Sequence, residues 1–393
     1  MKRFVTFAVS TASLIATWGP PAGVVQATPF VELGESDGIA LDQPRIAVEL
    51  IDGETSLGPT FSNTWLLDTG ATTILAGNLA ASEMTSQGAN LTAGTHLEQG
   101  IAGSQLLDVS AAYRFDFADS EGNRVTLPQA GEDVRILSSP TLNLGSFGGI
   151  VGTPGMVNRI STIDYTVWSG GNIALIGIDF PATLPPHSDR YSAPLNLVDF
   201  PPAGPAPVPT SGPLPFMTVK WSDGGNETQG NVVLDTGAQI SAINTQVGLD
   251  VGLDTNMDGE LDSLDANWLF DQQVGGIGGS ITVPVFNVGR IMIPTDQGVD
   301  LVWTNMAALV VDIDPSIAGL LGSDLLTSGW INALVGGEDG YLEHVHVDLT
   351  DAVNKNGSLV FDLNPTLNIV IPEPSTSWLL LCAGAMVVRR RRR

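Results

Sequence analysis

Two short stretches carry the same acid in the same setting. Leu66–Leu75 reads LLDTGATTIL and Val233–Ile243 reads VLDTGAQISAI, which puts Asp68 and Asp235 167 residues apart. Each aspartate ends a run of apolar β-formers and is followed at once by Thr-Gly, Thr69-Gly70 or Thr236-Gly237. A lone Asp-Thr-Gly is an ordinary turn sequence. Two copies at matching places in a repeated chain predict that the acids meet at one site. Carboxylates at contact distance cannot both ionise cheaply, so they share a proton, and one acts as base while the other acts as acid. The glycines fit this reading, because the two backbones must turn tightly and approach each other with no Cβ between them.

The elements that must hold these acids repeat as well. RIAVELIDG (Arg45–Gly53), GIAGSQLLDVSAAYRFDF (Gly100–Phe117) and FGGIVGTPGM (Phe147–Met156) surround the first acid. FMTVKWSDG (Phe216–Gly224), GIGGSITVPVFNVGRIMI (Gly276–Ile293) and IAGLLGSDLL (Ile317–Leu326) surround the second in the same order. Asp68 to Gly152 is 84 residues and Asp235 to Gly322 is 87. With 45 Gly, 25 Pro and short runs of Val, Ile, Leu and Thr bounded by turn residues, the chain reads as all-β. We expect two homologous β-barrel-like lobes, 28–200 and 214–370, joined by a proline-rich linker over 201–213, with a cleft between them.

These motifs resemble those of the aspartic proteases, two-lobed as in the pepsin group and with lobes reminiscent of the retropepsin kind. The resemblance covers most of the body. It implies a peptidase that needs no cofactor for catalysis, acts on a peptide or protein substrate as a monomer, and uses Asp68 and Asp235 as its acids. It implies a brace made by Thr69 and Thr236, supported by Gly70 and Gly237. Ile150-Val151-Gly152 and Leu320-Leu321-Gly322 match the segments beneath the catalytic loops. Gly100, Ile101 and Gly103, and likewise Gly276, Ile277 and Gly279, look like flap tips that contact substrate. The sequence departs from the pepsin pattern in two places. No tyrosine precedes Gly100, so Ile101 or Ile277 must help exclude water, and Ala71 and Ala238 stand where hydroxyls are usual. Without those donors the pair's pKa values should rise, which moves the optimum toward neutrality. A non-catalytic surface or matrix protein on the same fold is the alternative, and a calcium-dependent adhesion module is a third.

The second half carries extra length between its acid and its flap, 41 residues against 32. That insertion contains DTNMDGELDSLD, in which Asp254, Asn256, Asp258, Asp262 and Asp265 occupy the oxygen-ligand positions of an EF-hand-like calcium loop. Glu260 would offer its carbonyl, and Gly259 takes the sharp turn. Aspartate at the last position makes the loop resemble that of a dockerin, and a structural Ca2+ is expected. His344 and His346 lie two apart on a strand, read as solvated surface for want of a third ligand.

The ends read as addresses. Met1–Ala27 has Lys2 and Arg3, an apolar segment and Val25-Gln26-Ala27, as in a secretory signal peptide. Residues 371–393 contain Pro372-Glu373-Pro374, an apolar run of only 11 residues from Trp378 to Val388, and five arginines. That run falls short of the ~20 residues that span a bilayer as a helix. The tail resembles the PEP-CTERM sorting signal, which implies transient membrane anchoring, exosortase-type machinery, and export to the surface or matrix of a bacterium with an outer membrane. The body between these ends holds nine Lys and Arg against 41 acids, which disfavours nucleic acid as a partner. The one cysteine, Cys382, sits in the tail, so the body is stabilised without disulfides.

Overall fold

Apolar alternation builds most of the elements. In Arg45–Asp52 the core side chains Ile46, Val48 and Leu50 alternate with exposed or half-exposed ones, as a strand with one buried face requires. The computed structural model describes residues 28–127 apart from 37, 39 and 41, then 133–167, 176–329, 341–364 and 369–370. The expected signal peptide and sorting tail lie outside the described residues. Pro29–Val370 forms one compact unit. Its helices are short, at Asn78–Ser86, Thr245–Val251 and Ser323–Leu326, and the rest of its regular structure is mainly β, in one sheet of ten strands and another of fourteen.

The repeat in sequence is a repeat in topology. Strand Thr64–Leu67, which leads into Asp68, pairs in parallel with Gly149–Val151 through Leu66 and Ile150, and that strand pairs antiparallel with Ile74–Ala76. In the second half Asn226–Leu234 leads into Asp235, pairs in parallel with Gly319–Leu321 through Val233 and Leu320, and the latter pairs antiparallel with Ala242–Ile243. Each Asp-Thr-Gly loop is therefore clasped by its own crossing strands. Asp68 N donates to Val151 O at 3.0 Å, and Asp235 N donates to Leu321 O at 2.9 Å.

The sheets do not divide at the linker. Phe30–Glu35, from the start of the first half, pairs in parallel with Asp300–Val310 of the second. Strands Ile160–Asp164 and Arg190–Val198 pair with Leu342–Asp348 and Asn356–Leu363, so that both halves contribute to a common sheet. The proline-rich segment leaves that sheet at Val198 and re-enters it at Leu214, which are paired. In between it lies against the first half, where Gly212 N donates to Thr72 O at 2.8 Å and Ser211 bridges Thr73.

His346 corrects the expectation of a solvated surface. Leu342–Asp348 runs inside the common sheet with a partner strand on each side, and His346 is fully buried there. Its Nε2 lies 2.9 Å from Asp362 Oδ2 and its Nδ1 lies 2.8 Å from Thr162 Oγ1. Arg190 adds a bidentate pair to Asp362 at 2.6 and 2.7 Å. Burial alone would raise the Asp362 pKa, but hydrogen bonds from His346 and Arg190 hold it well below the usual carboxylate range.

Candidate active site

Leu66, Leu67, Val233 and Leu234 are buried, which fixes the strands up to the point where the chain must carry an acid. Beyond them the two loops interlock. Thr69 Oγ1 donates to Leu234 O at 2.7 Å and accepts from Thr236 N at 3.0 Å. Thr236 Oγ1 donates to Leu67 O at 2.8 Å and accepts from Thr69 N at 3.1 Å. Both threonines are buried, so these four bonds satisfy polar groups that water cannot reach. The glycines meet the same constraint. A Cβ on Gly70 would sit 2.6 and 2.7 Å from the Asp235 carboxylate oxygens, and one on Gly237 would sit 2.8 Å from Asp68 Oδ1. No side chain fits at either position.

The brace turns the two carboxylates toward each other, and they are hydrogen-bonded. Gly70 N donates to Asp68 Oδ1 at 2.7 Å, and Gly237 N and Ala238 N each donate to Asp235 Oδ1 at 3.0 Å. Burial, then the charge of Asp235 and the hydrogen bond to it, push the Asp68 carboxyl well above its ordinary value. Burial also raises Asp235, against hydrogen bonds from Asp68, Ala238 and Gly237 that favour its ionised form. The two carboxyls therefore titrate as one coupled pair that holds a proton between them.

A cavity of about 1060 Å³ opens over the pair, lined by both aspartates, both Asp-Thr-Gly loops and two hairpins. One hairpin runs Gly94–Gly100 and back from Gly103, and the other runs Trp268–Gly276 and back from Gly279. Their tips touch. A Cβ on Gly100 would be 2.7 Å from Ile277 Cβ, one on Gly276 would be 2.9 Å from Ile101 Cγ2, and Gly278 packs on the Gly103 backbone. Gly103 and Gly279 adopt φ of +127° and +129°, which side-chain-bearing residues rarely do. All six flap residues singled out in the sequence lie at this junction. Ile277 reaches across to the apolar cluster of Leu75, Leu107, Val109 and Leu137 in the first half.

Two residues of this region escaped the sequence reading. Asp324 is fully buried beneath the second Asp-Thr-Gly loop, where Ser241 Oγ donates to its Oδ1 at 2.7 Å and its Oδ2 has no hydrogen-bond partner. Burial pushes its carboxyl up to about 7. Next to it, Ser323 Oγ donates to Thr236 O at 2.8 Å and so fastens the brace from below. The signal was present in the Gly-Ser-Asp that follows Leu320-Leu321, but the first half has Gly152-Thr153-Pro154 there, and comparison of the halves hid the acid. The other residue, Glu98, lines the cavity from the first flap.

The insertion 254–265 stands apart from this cavity's lining. Asp254 accepts from Asp258 N at 3.2 Å and Gly259 N at 2.9 Å, with Gly259 at φ +88°. Asp265 accepts from Thr255 N at 2.7 Å and Asp262 N at 3.2 Å, and Asn256 Oδ1 accepts from Asp258 N at 2.9 Å. Glu260 N donates to Asp258 Oδ1 at 2.9 Å. The donor set is all oxygen, which suits a hard cation. Its side chains point at backbone N–H groups, and among the described residues no group of three or more acids, histidines or cysteines converges as a metal site.

Comparison with known proteins adds two findings. Residues 370–393 match the family model described as the PEP-CTERM protein-sorting motif, which marks an exosortase-sorted cell-surface protein of Gram-negative bacteria. Among solved structures, the chain is similar to that titled "Crystal structure of Basic 7S globulin from soybean", at 10% identity and a TM-score of 0.42, over 86% of this chain and 96% of that one. No curated protein matches the sequence.

Proposed function

We propose that the protein is an exported aspartic endopeptidase that acts at the cell surface. The observation that carries this reading is the pair of interlocked Asp-Thr-Gly loops, which face Asp68 and Asp235 toward one cavity. In the proposed reaction Asp235 takes a proton from a water held between the carboxylates, and that water attacks the scissile carbonyl. Asp68 donates a hydrogen bond to the developing oxyanion and then gives its proton to the leaving amine. The hairpin tips meet over the cavity, and a bound peptide beneath them would displace water from the pair and strengthen these charge interactions. A scaffold protein that cuts nothing gains no stability from two buried acids that burial holds above their ordinary pKa. Offered a peptide library, the mature body should cleave internal bonds, and Asp68→Asn or Asp235→Asn should lower kcat by about 10³-fold or more. Equal turnover in wild type and variants would remove the enzyme reading in favour of a binding protein.

Calcium belongs to this proposal as a stabiliser of the second half, in a body that lacks disulfides. The register of Asp254, Asn256, Asp258, Glu260, Asp262 and Asp265, with Gly259 in the left-handed region, supports it. Saturating calcium should raise Tm by several degrees, since about 2.7 kcal/mol is gained at 100 times Kd. Asp254→Ala combined with Asp265→Ala should abolish the rise. A Tm that ignores calcium would remove the ion from the proposal.

A further inference from the structure

The first flap differs from the second where it faces the cleft. Along Gly94–Gly100 the side chains alternate, with Thr95, Leu97 and Gln99 exposed and His96 and Glu98 turned inward. Counting back from the matching glycine, Gly276, the second flap has Val274 and Gln272 in the places of Glu98 and His96. Val274 packs against Ile240, Val283 and Leu309. One half of the roof is therefore apolar with an amide, and the other ends in a carboxylate and an imidazole.

We propose that Glu98, flanked by His96, forms a subsite that selects a lysine or arginine side chain of the bound peptide. The proposal deepens the endopeptidase reading and rests on it for the identity of the ligand as a peptide. Three observations carry it. Glu98 Oε2 is buried and has no hydrogen-bond partner, and its nearest ion partner, His96 Nε2, lies 3.5 Å away. Among the described residues the cavity it lines holds Asp68, Asp235 and Glu98 but no Lys or Arg that would supply the missing counter-charge. A buried carboxylate without a cation is costly to the fold, and a ligand that brings one recovers that cost on binding. In keeping with this, burial pushes the Glu98 carboxyl up to about 7, and burial lowers His96 against a hydrogen bond to the Ala203 backbone. At pH 8, therefore, Glu98 is ionised beside a neutral His96, and the subsite is negative.

An extended peptide lying between the flaps and the catalytic loops would carry its side chains alternately toward roof and floor. A long basic side chain beneath the first flap would bring its charge to Glu98, where an aliphatic one leaves the carboxylate unpaired. The test uses the Asp68→Asn variant, which retains the cavity without turnover, titrated at pH 8 with peptides that differ only in lysine, norleucine or glutamate at one scanned position. Lysine should bind about tenfold tighter at one position. Adding Glu98→Gln should bring that ratio to about one, and Glu98→Lys should reverse it toward glutamate. No lysine preference at any position, or a preference that survives Glu98→Gln, overturns the subsite. A wild-type protein that cleaves nothing, while its Asp68→Asn variant keeps the Glu98-dependent preference, sinks the endopeptidase reading alone. Cleavage without the preference sinks the subsite alone.

Discussion

Asp68 and Asp235 are the same residue in two near-identical loops, and both carboxyls lie above their ordinary value. Burial raises both, and the hydrogen bond between them favours the neutral form of one and the ionised form of the other. The proposed catalysis needs one proton on the pair. The acid limb of kcat/KM would mark protonation of the second carboxyl and should lie above the ordinary carboxylate value, and the basic limb would mark loss of the shared proton. The profile should therefore peak nearer neutral than strongly acidic, and a peak well below pH 4 would contradict it. Asp324 titrates apart from the reaction. Its unfolded value is that of an ordinary aspartate near 4, whereas in the fold it is pushed up to about 7. The folded state binds the proton more tightly, so this stabilising contribution is complete below about pH 4 and is lost as pH rises through about 7. Asp324→Asn should flatten that decline by up to about 4 kcal/mol, read as unfolding free energy across pH 4–8. An unchanged slope would show that Asp324 is ionised throughout.

At the scale of elements, the brace and the flaps set the geometry that the acids need. Thr69→Val or Thr236→Val would remove a buried hydroxyl that both donates and accepts across the two loops. Each should cost about 1–3 kcal/mol, because a backbone N–H and a carbonyl are left buried and unpaired. The double variant should cost less than the sum, because the two hydroxyls serve the same loop contact. Chemical unfolding of the single and double variants measures this, and full additivity would mean that the loops are held independently. Gly70→Ala is the harsher change. Its Cβ would fall on the Asp235 carboxylate, so catalysis should be lost even where the fold survives.

For the molecule as a whole, the common sheet does the work that disulfides do elsewhere. Arg190 from the first half and His346 from the second both bind Asp362, beneath which the strands of the two halves run side by side. Asp362→Asn should destabilise the fold by about 1–3 kcal/mol, since it removes the charge that the half-buried Arg190 and the buried His346 both bind. The folded pKa of Asp362 is depressed, so its contribution is present above the ordinary aspartate value and is lost as pH falls below it. Acid unfolding of wild type should accordingly be steeper below pH 4 than that of Asp362→Asn, and parallel curves would assign acid lability to other groups.

Much of this protein was written in its order of residues. The repeated Leu-Asp-Thr-Gly and the flap glycines in the left-handed region, Gly103 and Gly279, are marks that the order of residues shows directly, whereas what excludes a Cβ at Gly70 and Gly237 is the carboxylate from the other half. Hydrophobic alternation likewise gave the all-β class. Contacts far apart in sequence left no such local mark. The burial of His346 depends on strands 160–164 and 356–363 closing over it, and a His-Val-His run reads alike on a surface or in a core. Asp324 and Glu98 look like ordinary acids in the chain, and only the folded cavity and the packed underside of the loop remove their water. Pairing of Phe30–Glu35 with Asp300–Val310 was equally invisible, because a parallel partner 270 residues away is chosen by tertiary packing, whereas turn chemistry acts only between neighbours.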